Sequence, residues 1–447
     1  MSNKTNKLSG TIAAQASAPG VAGIAVIRVS GELTKKITKK ITRKEASHMQ
    51  AKRTAFFNQD GKKIDDGIAL GFFAPNSYTG EDVLEVSCHG SPAVVDEILK
   101  ALFDFGARPA EPGEFTKRAY LNDKIDLVQA EAVADLIESK SIQTARAARR
   151  SLEGVFSKKV FILSDQLTET RTLVEASLDF PDEELNETNY KKTLSTKLDK
   201  TNNAFLSLLK ETRTACRIRE GATLAIIGEP NVGKSTLMNK LSGHQRAIVS
   251  ETPGTTRDTI EETILLDGFC VTIVDTAGIR DTKDAIEKEG IERAKKAAKN
   301  ADIVLEMFDA NKREQDTKKP EKNTLLLFNK ADLLKTQLKN KNQNEGVFYV
   351  SAKDGSGIDD VVSAIAAFFG KSETHESGLT ARRRHLNNLG DAFGFFKKAK
   401  SKTEANKATD LVAEDLLQAQ NTLSEITGEF STEDLLDKIF SEFCIGK

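Results

Sequence analysis

The chain has little sulfur and no metal-ligand spacing. Its four cysteines, Cys88, Cys216, Cys270 and Cys444, are scattered without a CxxC pair. That excludes the usual zinc-binding patterns and fits a reducing compartment better than a disulfide framework. The opening stretch MSNKTNKLSGTIAAQ lacks the apolar core of a signal peptide. No apolar run approaches the roughly 20 residues needed to span a bilayer. A strong charge imbalance is also missing: the formal net charge is −1, which excludes a uniformly basic nucleic-acid coat but leaves room for a local basic face. These absences predict a soluble, cytoplasmic protein with no membrane association. What is present is ample: 447 residues, 39% of them hydrophobic, predict two or three domains with real cores.

Three textures follow one another along the chain. Up to about residue 120, short strand-like runs such as GIAVIRVSG (23–31) and DVLEVSCHG (82–90) end in turn residues, and AVVDEILKALFDFGA (93–107) has helical spacing closed by Gly106. This reads as an α+β domain. Residues 121–219 carry apolar positions at three- and four-residue steps, as in LVQAEAVADLIESKSIQTARAARRSLEG (127–154), and read as long helices broken near LDFPDEE (178–184). Over residues 220–372, apolar strands (TLAIIG, FCVTIVDT, DIVLEMFDA, TLLLFNK and VFYVSA) alternate with helices, which predicts a mainly parallel sheet covered on both faces. Residues 373–447 are helical again. The simplest packing joins 121–219 and 373–447 into one helical domain with the α/β module inserted. The lysine-rich stretches at 34–44 and 312–322 lack interleaved aromatics and read as solvated surface.

The inserted module carries the chemistry. GEPNVGKS (228–235) fits the phosphate-loop pattern GxxxxGKS, follows a strand and opens a helix, the context the pattern requires. Its glycines let backbone N–H groups turn onto phosphates. Lys234 adds a charge at the β/γ positions, and the helix dipole adds to it. Ser235 offers a hydroxyl to Mg²⁺, and Asn231, Val232, Gly233 and Thr236 complete the cradle. DTAG follows: Asp275 suits the Mg²⁺ shell, the Gly278 N–H suits the γ-phosphate, and Thr276 and Ala277 lie between them. NKAD supplies Asn329, Lys330 and Asp332. An ionised Asp332 only accepts, so it suits the paired donors of a guanine edge and repels adenine. SAK (Ser351, Ala352 and Lys353) closes over the base. Four motifs in order, each on a strand end, predict a GTP/GDP pocket and resemble the translation-factor-related GTPases.

The loop SETPGTTRD between the first two motifs reads as a switch containing Ser250, Glu251, Thr252, Pro253, Gly254, Thr255 and Thr256, with Thr256 capping Mg²⁺ when the γ-phosphate is present. A glutamine commonly follows DxxG to orient water; here Ile279 stands in its place. Glu287 downstream is the best acid for that task, although spacing alone equally allows a first-turn helix charge. Charge compensation is open between Arg257 or Arg280 and a monovalent cation held by the Asn231 side chain and switch carbonyls.

The end of the chain, FCIGK (443–447), together with GTTRD, DTAGIRD and TARRRHL (380–386), closely resembles the MnmE (TrmE) family of tRNA modification GTPases. The likeness spans essentially the whole chain, including TIAAQASAPGVAGIAVIRVSG (11–31), PNSYTGEDVLEVSCHG (75–90), RPAEPGEFTKRAYLNDKIDLVQAEAVADLI (108–137) and LSEITGEFSTEDLLDKIFSEFCIGK (423–447). It implies a multidomain fold: an α+β tetrahydrofolate-binding-like domain that also mediates homodimerisation (1–120), an α-helical central domain (121–219 and 373–447), and an inserted α/β P-loop GTPase domain (220–372). It implies that 5-formyl- or methylene-tetrahydrofolate is contacted by Arg28, Glu85, Lys124 and Lys447, positions that by themselves read equally well as structural polar residues. K⁺ ligands would be Asn231, Ser250, Thr252 and Thr255, and Glu287 would orient water. The partner would be the FAD-containing MnmG, in a heterotetramer that places an aminomethyl-type group on C5 of the tRNA wobble uridine. Cys444 matches the family's essential cysteine. Nearby Lys447 favours its thiolate and the chain-terminal carboxylate opposes it. The competing reading is a GTPase acting as a binding switch in ribosome or RNA assembly, against which stands the lack of a GXXG-type or RNP-type segment.

Overall fold

The computed structural model describes residues 9–179, 187–243, 261–274, 298–299, 301–311, 320–321, 323–334, 346–369, 378–405, 409–429 and 432–446. The chain divides into two compact units. One comprises Met1–Ala134, Ser157–Thr201 and Asp391–Lys447; the other comprises Asp135–Phe156 and Asn202–Gly390.

The first unit holds a six-stranded sheet in the order β3-β4-β5-β2-β1-β6, from β1 (Ile12–Gln15), β2 (Ala22–Ser30), β3 (Lys52–Phe57), β4 (Lys63–Phe72), β5 (Val83–Gly90) and β6 (Arg108–Pro109). Only the β1–β6 pairing is parallel. The period of two explains β2 and β5. Ala25, Ile27 and Val29, with Leu84, Val86 and Cys88, are buried in one core, so Arg28 and Glu85 turn to the opposite face. Helices α1 (Thr34–Thr42) and α2 (Pro92–Asp104) supply Ile37, Ile41, Val95, Ile98 and Leu102 to that core. The lysines of the 34–44 stretch lie on the outer face of amphipathic α1, whose buried residues are Thr34, Ile37, Thr38, Ile41 and Thr42. Strands β1, β3, β4 and β6 were not expected from the sequence. β3 is the sheet's edge strand and β4 pairs with it, and exposed Arg53, Lys63 and Asp66 break up their apolar signal.

Helix α3 (Glu114–Leu121) follows β6, then α4 (Leu127–Ile137), α5 (Ile142–Leu152), α6 (Val155–Asp179) and α7 (Glu187–Glu220), in line with the helical reading of this stretch. After the second sheet come α10 (Arg383–Glu404), α11 (Thr409–Thr427) and α12 (Glu433–Ser441). In the first unit, Leu436, Ile439, Phe440 and Phe443 pack with Tyr120, Leu127 and Ala130.

The second unit holds a sheet in the order β12-β11-β10-β7-β9-β8. Its strands are β7 (Ala222–Gly228), β8 (Glu261–Leu266), β9 (Phe269–Val274), β10 (Ile303–Asp309), β11 (Thr324–Asn329) and β12 (Val347–Tyr349). All neighbours run parallel except β8, an antiparallel edge strand absent from the sequence reading. Leu224, Ile226, Leu305, Met307 and Leu327 are fully or nearly fully buried together with residues of α8 (Lys234–Ser242) and α9 (Ile358–Phe368). The central strands therefore read as continuous apolar runs.

Candidate active site

The parallel strands β7, β11 and β12 end on the loops that carry the phosphate-loop, NKAD and SAK motifs, as ligand sites in open α/β sheets require. At the end of β7, Gly228 has φ +148°, and a Cβ there would strike the Met307 carbonyl. Gly233 has φ +105° and would drive a Cβ into Asn329 Nδ2. Both positions need glycine for conformation and for close approach. Val232 is buried in the sheet's core, whereas Asn231, Ser235 and Thr236 are exposed. No side chain caps α8, so its first-turn N–H groups and the Ser235 hydroxyl are presented on one open surface. Lys234 Nζ donates to the carbonyls of Gly228 (2.8 Å) and Glu229 (2.9 Å), arching across the loop.

Asn329 does something its motif position does not reveal. Its side chain is buried; Nδ2 donates to the Val232 carbonyl (2.7 Å) and Oδ1 accepts from the Ala352 N–H (2.9 Å). One amide therefore ties the phosphate loop to the SAK loop. Asp332, in a 3₁₀ turn (Ala331–Leu333), is exposed, as is Lys353. Ser351 is buried and shapes its loop by exchanging backbone bonds with Ser356 and Gly355. Lys330, at φ +67°, donates from Nζ to Asp309 Oδ2 at 2.7 Å. This hydrogen bond, with one from the Asn311 N–H, holds the Asp309 carboxyl below its ordinary pKa. Asp309 was not singled out in the sequence. The available signal was that it ends β10 in register with Asn329. The remaining pocket candidates, Ser250, Glu251, Thr252, Pro253, Gly254, Thr255, Thr256, Asp275, Thr276, Ala277, Gly278 and Glu287, lie outside the described residues, as do Arg257, Arg280 and Lys447.

In the first unit, Arg28 Nε and Nη2 donate to Glu85 Oε1 at 3.0 and 2.8 Å across directly paired strands. The guanidinium also sits 5.6 Å from the Tyr78 ring and 5.7 Å from the Phe115 ring. Tyr78 lines a cleft of about 510 Å³ with His48, Met49, Phe72, Asn76, Ser77 and Lys124. Lys124 Nζ donates there to the Pro75 carbonyl at 2.9 Å. Tyr78 thus links the Arg28–Glu85 pair to Lys124, a connection that spacing in the sequence does not announce. The cleft offers flat apolar rings beside amide, hydroxyl and ammonium groups.

The C-terminal motif reaches the same sheet. The Cys444 carbonyl accepts from the Gly113 N–H (3.4 Å), Ile445 forms a bridge with Pro112, and Gly446, at φ +92°, lies so close to the Gln15 carbonyl that no Cβ fits. Gln15 directly follows Ala14, the register partner of Arg28. The Cys444 thiol is exposed. Burial pushes the thiols of Cys88 and Cys216 up to about 11 and raises that of Cys270 as well, so none of these three is a good nucleophile.

Two family descriptions match this architecture: "MnmE helical domain" over residues 127–444 and "GTP-binding protein TrmE N-terminus" over residues 11–124. The chain belongs to the MnmE family. Relatives named tRNA modification GTPase MnmE include that of Coxiella burnetii (strain Dugway 5J108-111), 47% identical over 98% of both chains. That of Pseudomonas fluorescens (strain Pf0-1) is 45% identical over 98% of this chain and 99% of its own. Membership accounts for the joint presence of an N-terminal sheet domain, long helices and a P-loop GTPase sheet. For an MnmE chain the P-loop geometry fits a nucleotide with Mg²⁺, because Ser235 presents its hydroxyl beside uncapped helix N–H groups. Among the described residues no cluster of His, Cys, Asp and Glu could hold a metal by itself, and no helix is long and apolar enough to cross a membrane.

Proposed function

We propose that this MnmE-family chain hydrolyses GTP to GDP and phosphate in the service of tRNA wobble-uridine modification. The observation that carries the GTP reading is the buried Asn329 bracket, which locks the phosphate loop and the SAK loop into one pocket, with exposed Asp332 on the turn beside it. Water attacks the γ-phosphorus, and the bond to the β-bridging oxygen breaks towards GDP. Lys234 and the α8 N–H groups bind the phosphates. Ser235 and Thr256, with Asp275 close by, would hold Mg²⁺, which would supply neutralising charge for the phosphates. Glu287 orients the water. Asn231, with Ser250, Thr252 and Thr255, would hold K⁺, which would supply positive charge in place of an arginine finger.

The same reading assigns residues 1–120 to folate binding and homodimerisation, 121–219 and 373–447 to the helical domain, and 220–372 to the GTPase domain. A reduced folate, 5-formyl- or methylene-tetrahydrofolate, would be held by Arg28, Glu85, Lys124 and Lys447 and would supply one carbon. MnmG with its FAD would complete the modifying complex in the cytoplasm, and Cys444 would serve at the modification step. Support comes from the Arg28–Glu85 pair, the Tyr78-lined cleft beside Lys124, and the seating of residues 444–446 near β1.

The test is mass analysis of tRNA nucleosides from cells lacking the chain, complemented with the unaltered protein or with Lys234→Ala. The unaltered protein restores the modified wobble uridine and Lys234→Ala does not. Restoration by Lys234→Ala, or no change on deletion, overturns the reading.

A further inference from the structure

We propose that Asp309 is a positioning residue for the guanine nucleotide: it anchors the Lys330 ammonium so that the lysine stem forms a preset rail beside the base. The proposal rests on the GTP reading of this pocket and adds to it a residue outside the four motifs. Lys330 occupies a left-handed backbone position between the buried Asn329 bracket and the turn that carries Asp332. Its side chain is about a third exposed (36%), whereas that of Asp309 is 12% exposed. The anchor is therefore the fixed partner and the lysine the one facing outward. Asp309 is itself held at the end of β10, where Oδ1 accepts from the Asn311 N–H at 3.0 Å while Oδ2 takes Lys330 Nζ at 2.7 Å. Each carboxylate oxygen has its own donor, so the carboxylate cannot rotate without losing a bond.

The physical gain is preorganisation. A free lysine side chain samples many rotamers, and a ligand that packs on it must freeze them; tying down the ammonium beforehand removes that loss. Phe328, next to the bracket, stacks on Tyr349 at 5.2 Å and lies 5.5 Å from Phe308. The strand ends that carry Asp309 and Asn329 are thus braced, which keeps the anchor in register.

Stopped-flow release of fluorescently labelled GDP from the full chain tests the inference. Asp309→Asn keeps the acceptor for Asn311 but drops the charge. It should speed release about three- to tenfold, in line with the ordering cost of one long side chain. Lys330→Met keeps the stem and drops the ammonium, so it tests the pair from the other end even if Asp309→Asn does not fold. The double variant should release no faster than Lys330→Met alone, because both changes break one interaction. Release at the unaltered rate from either single variant, or additive effects in the double, overturns the proposal. Failure of the unaltered chain to bind labelled GDP overturns the pocket reading, and the proposal with it.

Discussion

Glu114 keeps its charge with 1% of its side chain exposed. It does so because Arg108 donates to both carboxylate oxygens (2.6 and 2.8 Å), Arg118 donates to Oε1 (2.8 Å), and the Glu111 N–H closes the ring (3.0 Å). Burial alone would push this carboxyl up, but those hydrogen bonds and charges outweigh it and hold the pKa below the ordinary value. A lowered folded-state pKa stabilises the fold above the unfolded value, about 4.3, and that stability is lost as pH falls through the folded value. Urea midpoints of the unaltered chain should therefore drop more steeply as pH falls below about 4.3 than those of Glu114→Gln; parallel curves would deny Glu114 this role. Asn231 supports a second prediction at this scale. It is exposed on the phosphate loop at φ +63°, and the proposed mechanism has it hold K⁺. Replacing K⁺ with Na⁺ should slow GTP turnover at least tenfold in the unaltered chain and have little further effect in Asn231→Ala. Equal rates in the two salts would remove the cation from the mechanism.

The segments that lead into and out of the second sheet are cross-tied. Asp135 on α4, with 3% of its side chain exposed, accepts at Oδ1 from Arg219 Nε (2.8 Å) at the end of α7 and from Arg382 Nη2 (3.2 Å) just before α10. Next to them Arg383 clasps Glu220 at 2.9 Å, largely in solvent. Inside the second unit, Ser151 on α5 also exchanges hydrogen bonds with the Thr380 backbone at 2.9 and 3.0 Å. Asp135→Ala removes the acceptor shared by two partly buried guanidinium groups and should cost about 3 kcal/mol. Arg383→Ala breaks an exposed pair and should cost under about 1 kcal/mol. Denaturant midpoints give both values, and a reversed ranking would refute this account of the tie. The same elements mark what was legible in the sequence. Buried parallel strands are apolar runs with their motifs at one end, so the pocket could be read directly. TARRRHL was visible as a motif, but the partner of its first arginine lies far back in the chain, and no local pattern links the two. The edge strand β8 opens with Glu261, Glu262 and Thr263, which confines its apolar signal to Ile264–Leu266. Asp309 escaped notice because its meaning comes from the neighbouring strand in the sheet.

Each unit is assembled from distant stretches of chain. The first brings residues 444–446 onto Pro112, Gly113 and Gln15, on the sheet that holds the Arg28–Glu85 pair. The second carries a GTP pocket of its own. On the proposed reading, in which Cys444 serves the modification step, that step and hydrolysis at the phosphate loop should separate by mutation. Cys444→Ser should leave GTP hydrolysis within about twofold of the unaltered rate and abolish modified wobble uridine in complemented cells. Survival of the modification would make Cys444 a packing residue, and collapse of hydrolysis would join the two activities. The seating of Gly446 against Gln15 also affects how the protein is made. On the ribosome, the N-terminal strands emerge long before the segment that lies against them, and the whole nucleotide-binding sheet is synthesised in between. A polypeptide cut short after Lys353 and before Cys444 would still contain every nucleotide motif, yet Gln15 would lack its contact with Gly446 and the thiol would be missing. Translation interrupted in that last stretch would thus yield products that keep the nucleotide motifs and lose the cysteine.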